Sequence, residues 1–106
     1  MSVYGDRGRE AGKAAGSWVI DGNTSSETVQ AILKGIEDGD PAIMDMEPSP
    51  LSGEWAGESV YELIPEIREM EERDAHAEID EACSAYELGF SEGFWFEVER
   101  SARAVA

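Results

Sequence analysis

Residues 75–104 read AHAEIDEACSAYELGFSEGFWFEVERSARA, and the spacing of the apolar residues in this stretch decides the fold. Ile79, Ala82, Cys83, Tyr86, Phe90, Phe94, Val98 and Ala102, with Val105 just beyond, recur every three or four positions, as on one stripe of an α-helix. At 1.5 Å per residue, about thirty residues make a rod of roughly 45 Å. A globule of this chain length, with a radius of gyration near 13 Å, is only ~34 Å across. Such a helix must break, protrude or find a partner.

Glycines connect this element to the start of the chain. Gly89 and Gly93 interrupt the last helix, while Gly8, Gly12 and Gly16 fall at i, i+4 and i+8 of a helix expected over residues 6–20, beside Ala11, Ala15, Trp18 and Val19. Each glycine costs such a helix about 1 kcal/mol relative to alanine. Close approach of a second backbone, where the side chain is only hydrogen, is the compensation. The first and last helices are therefore expected to pack closely, each glycine set lying near a tryptophan, Trp18 and Trp95. The alternative is that the glycines end or bend their helices.

Between them the pattern stays helical. Asp21-Gly22-Asn23-Thr24 favours a turn. Thr24 with Glu27 forms a capping-box pattern before the apolar stripe Val29, Ile32, Leu33 and Ile36, and Gly39 is a C-terminal stop. Asp40-Pro41 predicts an N-cap and first-turn proline opening a short helix through Ile43, Met44 and Met46. Residues 47–57 hold Pro48, Pro50, Gly53 and Gly57 and read as an ordered loop anchored by Leu51 and Trp55. Val60, Leu63, Ile64, Ile67 and Met70 keep helical spacing around Pro65, so one helix kinks there or a second begins. No segment alternates like a half-buried strand. The expectation is all-α: a compact single domain, residues 1–106, of about four to five helices with a long C-terminal one.

Charge divides the chain sharply. Residues 1–36 hold four acids and four bases, whereas residues 37–106 hold twenty acids and four bases, so all of the net charge of −16 lies in the last two-thirds. Such a chain is repelled by phosphate backbones and anionic membranes, so direct nucleic-acid or membrane binding is not expected. A hydrophobic content of 42% with nine aromatic residues argues for a folded core over an acidic tail. The single cysteine, Cys83, forms no internal disulfide, no apolar run approaches a membrane span and no leader pattern opens the chain, so a cytoplasmic location is expected.

Candidate chemistry is sparse. His76 and Cys83, the only imidazole and thiol, are about 10 Å apart along one helix, well beyond the roughly 3 Å a nucleophile and base require. Glu72, His76 and Asp80 follow one helical face but span two turns, too far apart to meet one ion. Asp21, Asn23, Ser25 and Glu27 faintly suggest a calcium loop, yet Ser26 stands where glycine is needed and Ile32 where glutamate is. No catalytic residue, metal site or cofactor is assigned, and the chain is read as non-enzymatic.

The reading that remains is an acidic interaction surface. Between Glu37 and Glu99, twenty acids face only Arg68 and Arg73. The candidate partner-binding residues are acids on the polar side of the last two helices: Glu66, Glu69, Glu71, Glu72, Glu78, Glu81, Glu92 and Glu99. A rigid helical body with dense carboxylates suits a basic protein surface, including a nucleic-acid-binding groove that it would block as a DNA mimic. The alternative is a small homodimeric structural or regulatory protein using its glycine and aromatic helix faces.

Short motifs add a resemblance. Gly8-x-x-x-Gly12 leading to Trp18 and Asp21-Gly22-Asn23-Thr24, then Gly39-Asp40-Pro41, Leu51-Ser52-Gly53-Glu54, and Tyr86-x-x-Gly89-Phe90-Ser91 before Val98-Glu99-Arg100 resemble small acidic proteins of actinobacterial phages. The resemblance implies a phage or prophage product in the bacterial host cytoplasm, with counter-defence or host takeover as its expected role. It supplies no site residues.

Overall fold

A computed structural model of the chain describes residues 3–48, 50, 51 and 60–105. The described residues form helices and turns with no strand: α1 (Val3–Gly16), α2 (Ser26–Asp38), α3 (Pro41–Met44), α4 (Val60–Leu63), α5 (Ile67–Glu72) and α6 (His76–Val105). The expected all-α fold with a long C-terminal helix is the one adopted. Of the six helical segments, α3 and α4 are single turns.

The long helix does not break. It runs thirty residues without interruption, and the molecule measures 51 × 24 × 23 Å. Six of its buried residues, Ala82, Tyr86, Phe90, Phe94, Val98 and Ala102, follow one another at strict four-residue spacing. Four residues turn an α-helix through about 400°, so each step carries the stripe about 40° further round and five steps carry it roughly 200°. One flat neighbour cannot cover a stripe that winds this far. The helices α1, α2 and α5 all pack on α6, and Val98 and Ala102, which lie past the end of α1, are fully buried.

The α1–α6 contact is backbone against backbone. The two helices run parallel: Gly8 sits over Tyr86, Gly12 over Phe90 and Gly16 over Phe94, while Gly89 lies against Gly5 and Gly93 against Arg9. A methyl group at Gly12 would overlap the Phe90 carbonyl oxygen and stand 2.8 Å from the Phe94 nitrogen, so only hydrogen fits. Close Cα–H to carbonyl contacts of this kind recur where helices approach through glycine. This explains the glycine repeat by close packing and sets aside the reading in which these residues end or bend helices, except at Gly16, where α1 stops.

Several local expectations are corrected. The first helix spans 3–16 instead of 6–20, and its continuation is a turn in which Trp18 is 81% exposed, not packed beside the glycines. Trp95, by contrast, is half-buried and meets Phe94 edge-on at 4.8 Å. The cap of α2 is Ser25, whose hydroxyl accepts from the Thr28 N–H, whereas the Thr24 hydroxyl turns back to accept from the Asp21 N–H. Asp21 Oδ1 in turn accepts from the Asn23 N–H, which leaves a turn and a cap where an ion loop was considered. Asp40 caps α3 and Pro41 follows, as the sequence predicts, though the helix ends at Met44. Around Pro65 there are two helices, α4 and α5, rather than one kinked one. Leu51 packs against the core; Trp55, its proposed companion, lies outside the described residues. Val105, expected on the apolar stripe, is exposed.

Candidate functional site

The acidic candidates are positioned by the corner between α5 and α6. Asp74 takes a left-handed conformation (φ 53°), and the Ala75 N–H donates to the Met70 carbonyl at 2.8 Å, so the chain reverses after α5 and enters α6 at once. Asp tolerates this conformation better than most residues with a side chain. The reversal lays Ile67 and Met70 inward and turns the carboxylates of both helices outward.

At this corner a cleft of about 470 Å³ opens, lined by Val3 and Tyr4 of α1, Glu66 and Met70, and Glu78, Glu81 and Ala82 of α6. Its floor is apolar and its rim carries three of the eight candidate acids. Arg7 Nη1 lies 2.8 Å from Glu66 and holds that carboxyl below the usual carboxylate range. Glu78 accepts from Arg73 at 2.9 Å, and Glu69 lies 3.7 Å from the same guanidinium. Glu71 accepts from the Tyr61 hydroxyl at 2.8 Å, which raises the phenol's pKa, and Arg68 stacks on that ring at 4.6 Å. Among the described residues, Glu72 and Glu81 have no ion-pair partner.

Six of the eight acids therefore gather at one end, and two do not. Glu92 and Glu99 lie eleven and eighteen residues beyond Glu81, about 16 and 27 Å along the helix. The screening length is about 8 Å at physiological salt, so neither adds to the potential at the corner. Each has a base of its own, Arg9 at 2.9 Å for Glu92 and Arg103 at 2.8 Å for Glu99. The concentration of charge is visible in the chain: residues 60–82 hold nine acids against Arg68 and Arg73, whereas residues 83–105 hold four acids against Arg100 and Arg103. The neutral first third contributes charge to the later helices, because its Arg7 pairs with Glu66 at the start of α5 and its Arg9 with Glu92 of α6.

The cleft's apolar floor was not among the sequence candidates. Val3 and Tyr4 lie before the expected start of the first helix, and Met70 enters the sequence reading only through its helical spacing around Pro65. The signal available was the stripe Ile67–Met70, which continues α5 towards the acids of α6.

Other constellations are kept apart by the fold. His76 and Cys83 stand on the unbroken α6, and burial raises the pKa of the Cys83 thiol, the opposite of what a nucleophile needs. Among the described residues no group of three His, Cys, Asp or Glu side chains is placed to hold a metal ion, and no helix is long and apolar enough to cross a membrane. The chain matches no protein-family model, no curated protein and no solved structure.

Proposed function

We propose that this chain is a non-enzymatic binding protein whose α5–α6 corner engages a basic segment of another protein. The single observation that carries the reading is the cleft in which Glu66, Glu78 and Glu81 rim an apolar floor of Val3, Tyr4, Met70 and Ala82. A cationic residue on an apolar stem, or a cationic amphipathic helix, satisfies both halves of that surface. Together with the resemblance to acidic phage proteins, this favours a host protein as partner, and inhibition of a DNA-binding or defence factor by covering its basic surface. Seven acids spread along the 30-residue α6 give about one charge per 6 Å, sparser than the ~1.7 Å of duplex DNA. The corner, rather than the whole rod, is therefore the part that competes for a nucleic-acid groove.

The test is affinity capture from actinobacterial lysate with the wild-type chain and with a Glu71→Gln/Glu72→Gln/Glu78→Gln/Glu81→Gln variant. A basic protein retained by the first and released by moderate salt, but not retained by the second, is expected. Equal retention by both would refute the assignment. The homodimer alternative gains support from a different observation, exposed aromatic and aliphatic residues on α6, whereas the glycine faces it also invoked are occupied by the α1–α6 contact.

A further inference from the structure

The outer face of α6 carries a second surface with a different chemistry. Leu88 is 63% exposed and Phe96 60% exposed, well away from the buried stripe. At about 100° per residue, positions 81, 85, 88, 92, 96, 99 and 103 fall within an arc of roughly 80°, following one another at spacings of four, three, four, four, three and four residues, an eleven-residue repeat that keeps them on one side of the helix. Helix α1 borders it. Gly5, Asp6 and Arg9 line one groove with Ala85, Leu88 and Glu92, and Arg9 and Lys13 line the next with Glu92 and Phe96. The Arg9–Glu92 ion pair sits in the middle of this furrow, with one apolar residue on each side of it.

We propose that a second copy of this chain docks on this face, antiparallel, with the two-fold axis passing Glu92. Charge selects the occupant. Elsewhere two copies carrying −16 each repel one another, but here Asp6 and Glu92 share Arg9, and Lys13 lies 3.8 Å from Glu10 and over the Phe96 ring, so repulsion is least where the apolar residues are exposed. A basic partner is drawn instead to the α5–α6 corner, where acids outnumber bases and Glu72 and Glu81 have no ion-pair partner among the described residues. Charge also selects the direction. Residues equally distant from Glu92 meet in the antiparallel pair, so Leu88 covers Phe96 of the second copy and Glu81 faces its Arg103, each contact being made twice. A parallel pair would stack Glu99 on Glu99 and Arg103 on Arg103. Each Glu92 carboxylate on the axis is paired with Arg9 of its own chain, a guanidinium it shares with Asp6.

Sedimentation equilibrium on the full chain, from micromolar to submillimolar concentration, tests this. A mass twice the 11.6 kDa of the chain is expected, and Phe96→Glu and Leu88→Glu should each return the single-chain mass with helical circular dichroism intact. In a Cys83→Ser background, Glu92→Cys should oxidise to a disulfide-linked dimer, because a residue on the axis meets itself, whereas Trp18→Cys should not. A single-chain mass throughout, a dimer that survives both glutamate substitutions, or cross-linking at Trp18→Cys as fast as at Glu92→Cys would each overturn the proposal. Neither Phe96 nor Leu88 lines the acidic cleft, so the Phe96→Glu and Leu88→Glu outcomes read the dimer apart from the basic-partner reading, whereas Glu81 belongs to both surfaces and discriminates neither.

Discussion

Replacing Gly12 by alanine sets two physical effects directly against each other. In an isolated helix the change is worth about 1 kcal/mol in favour of alanine. In this fold the new methyl group would overlap the Phe90 carbonyl oxygen and stand 2.8 Å from the Phe94 nitrogen and 2.9 Å from the Phe90 carbonyl carbon, all of them main-chain atoms of a buried helix. Carbon and oxygen need about 3.3 Å even in the closest favourable contact, so α1 must lift off α6 by roughly an ångström along the whole glycine seam. Overpacking a well-filled core typically costs 1–3 kcal/mol, and a backbone obstacle with no rotamer to yield belongs at the upper end. Against the gain of about 1 kcal/mol from helix propensity, the net expectation is a loss of about 2 kcal/mol, a large share of the ~5–15 kcal/mol that holds a domain together. For a chain of this size that lowers Tm by about 8–16 °C. Far-UV circular dichroism melting and urea titration measure it, with Gly22→Ala as control, since nothing lies within 4 Å of a methyl group there. A stability increase for Gly12→Ala, as helix propensity alone would give, would refute the packing of α1 on α6 as described.

Further perturbations report on other parts of the fold. Phe90→Ala removes a fully buried ring and should cost about 3–5 kcal/mol by denaturant unfolding. Ser25→Ala should cost about 1 kcal/mol in the same assay, more than Thr24→Ala, because Ser25 is the residue that caps α2. The depressed pKa of Glu66 means that its pairing with Arg7 stabilises the fold above the ordinary carboxylate pKa. That contribution is lost as pH falls through the lowered value, so the stability difference between wild type and Glu66→Gln should vanish in strong acid and persist at neutral pH. Added salt should raise Tm, because it screens a net charge of −16 more than it weakens exposed ion pairs.

The fold was largely legible because its strongest signals are local. Periodicity marked α2 and α6, Asp40-Pro41 marked α3, and the paired glycine repeats marked the α1–α6 contact without any long-range information. What escaped was geometry that a list of apolar positions does not convey. The stripe on α6 reads as one face until its four-residue spacing is converted into angle, and the winding explains why three different helices are needed to cover it. The cap of α2 slipped by one residue because Thr24 and Ser25 both carry hydroxyls, and the turn hydrogen bonds to Asp21 decide between them. For the site, sequence identified which acids exist but not which stand together. Glu66, Glu78 and Glu81 converge through the reversal at Asp74, a residue whose left-handed backbone no pattern announced. Glu92 and Glu99 were grouped with them by composition and are separated from them by helix length and by Arg9 and Arg103.

Chemical-shift mapping of the isotope-labelled chain during titration with a lysine- and arginine-rich amphipathic peptide tests the basic-partner account most directly. Perturbations should be confined to the amides of α5, the first turns of α6, and Val3 and Tyr4. They should be lost on adding salt and absent in the Glu71→Gln/Glu72→Gln/Glu78→Gln/Glu81→Gln variant. Shifts spread evenly over every acidic segment, or strongest on α2, would contradict the assignment of function to the α5–α6 corner.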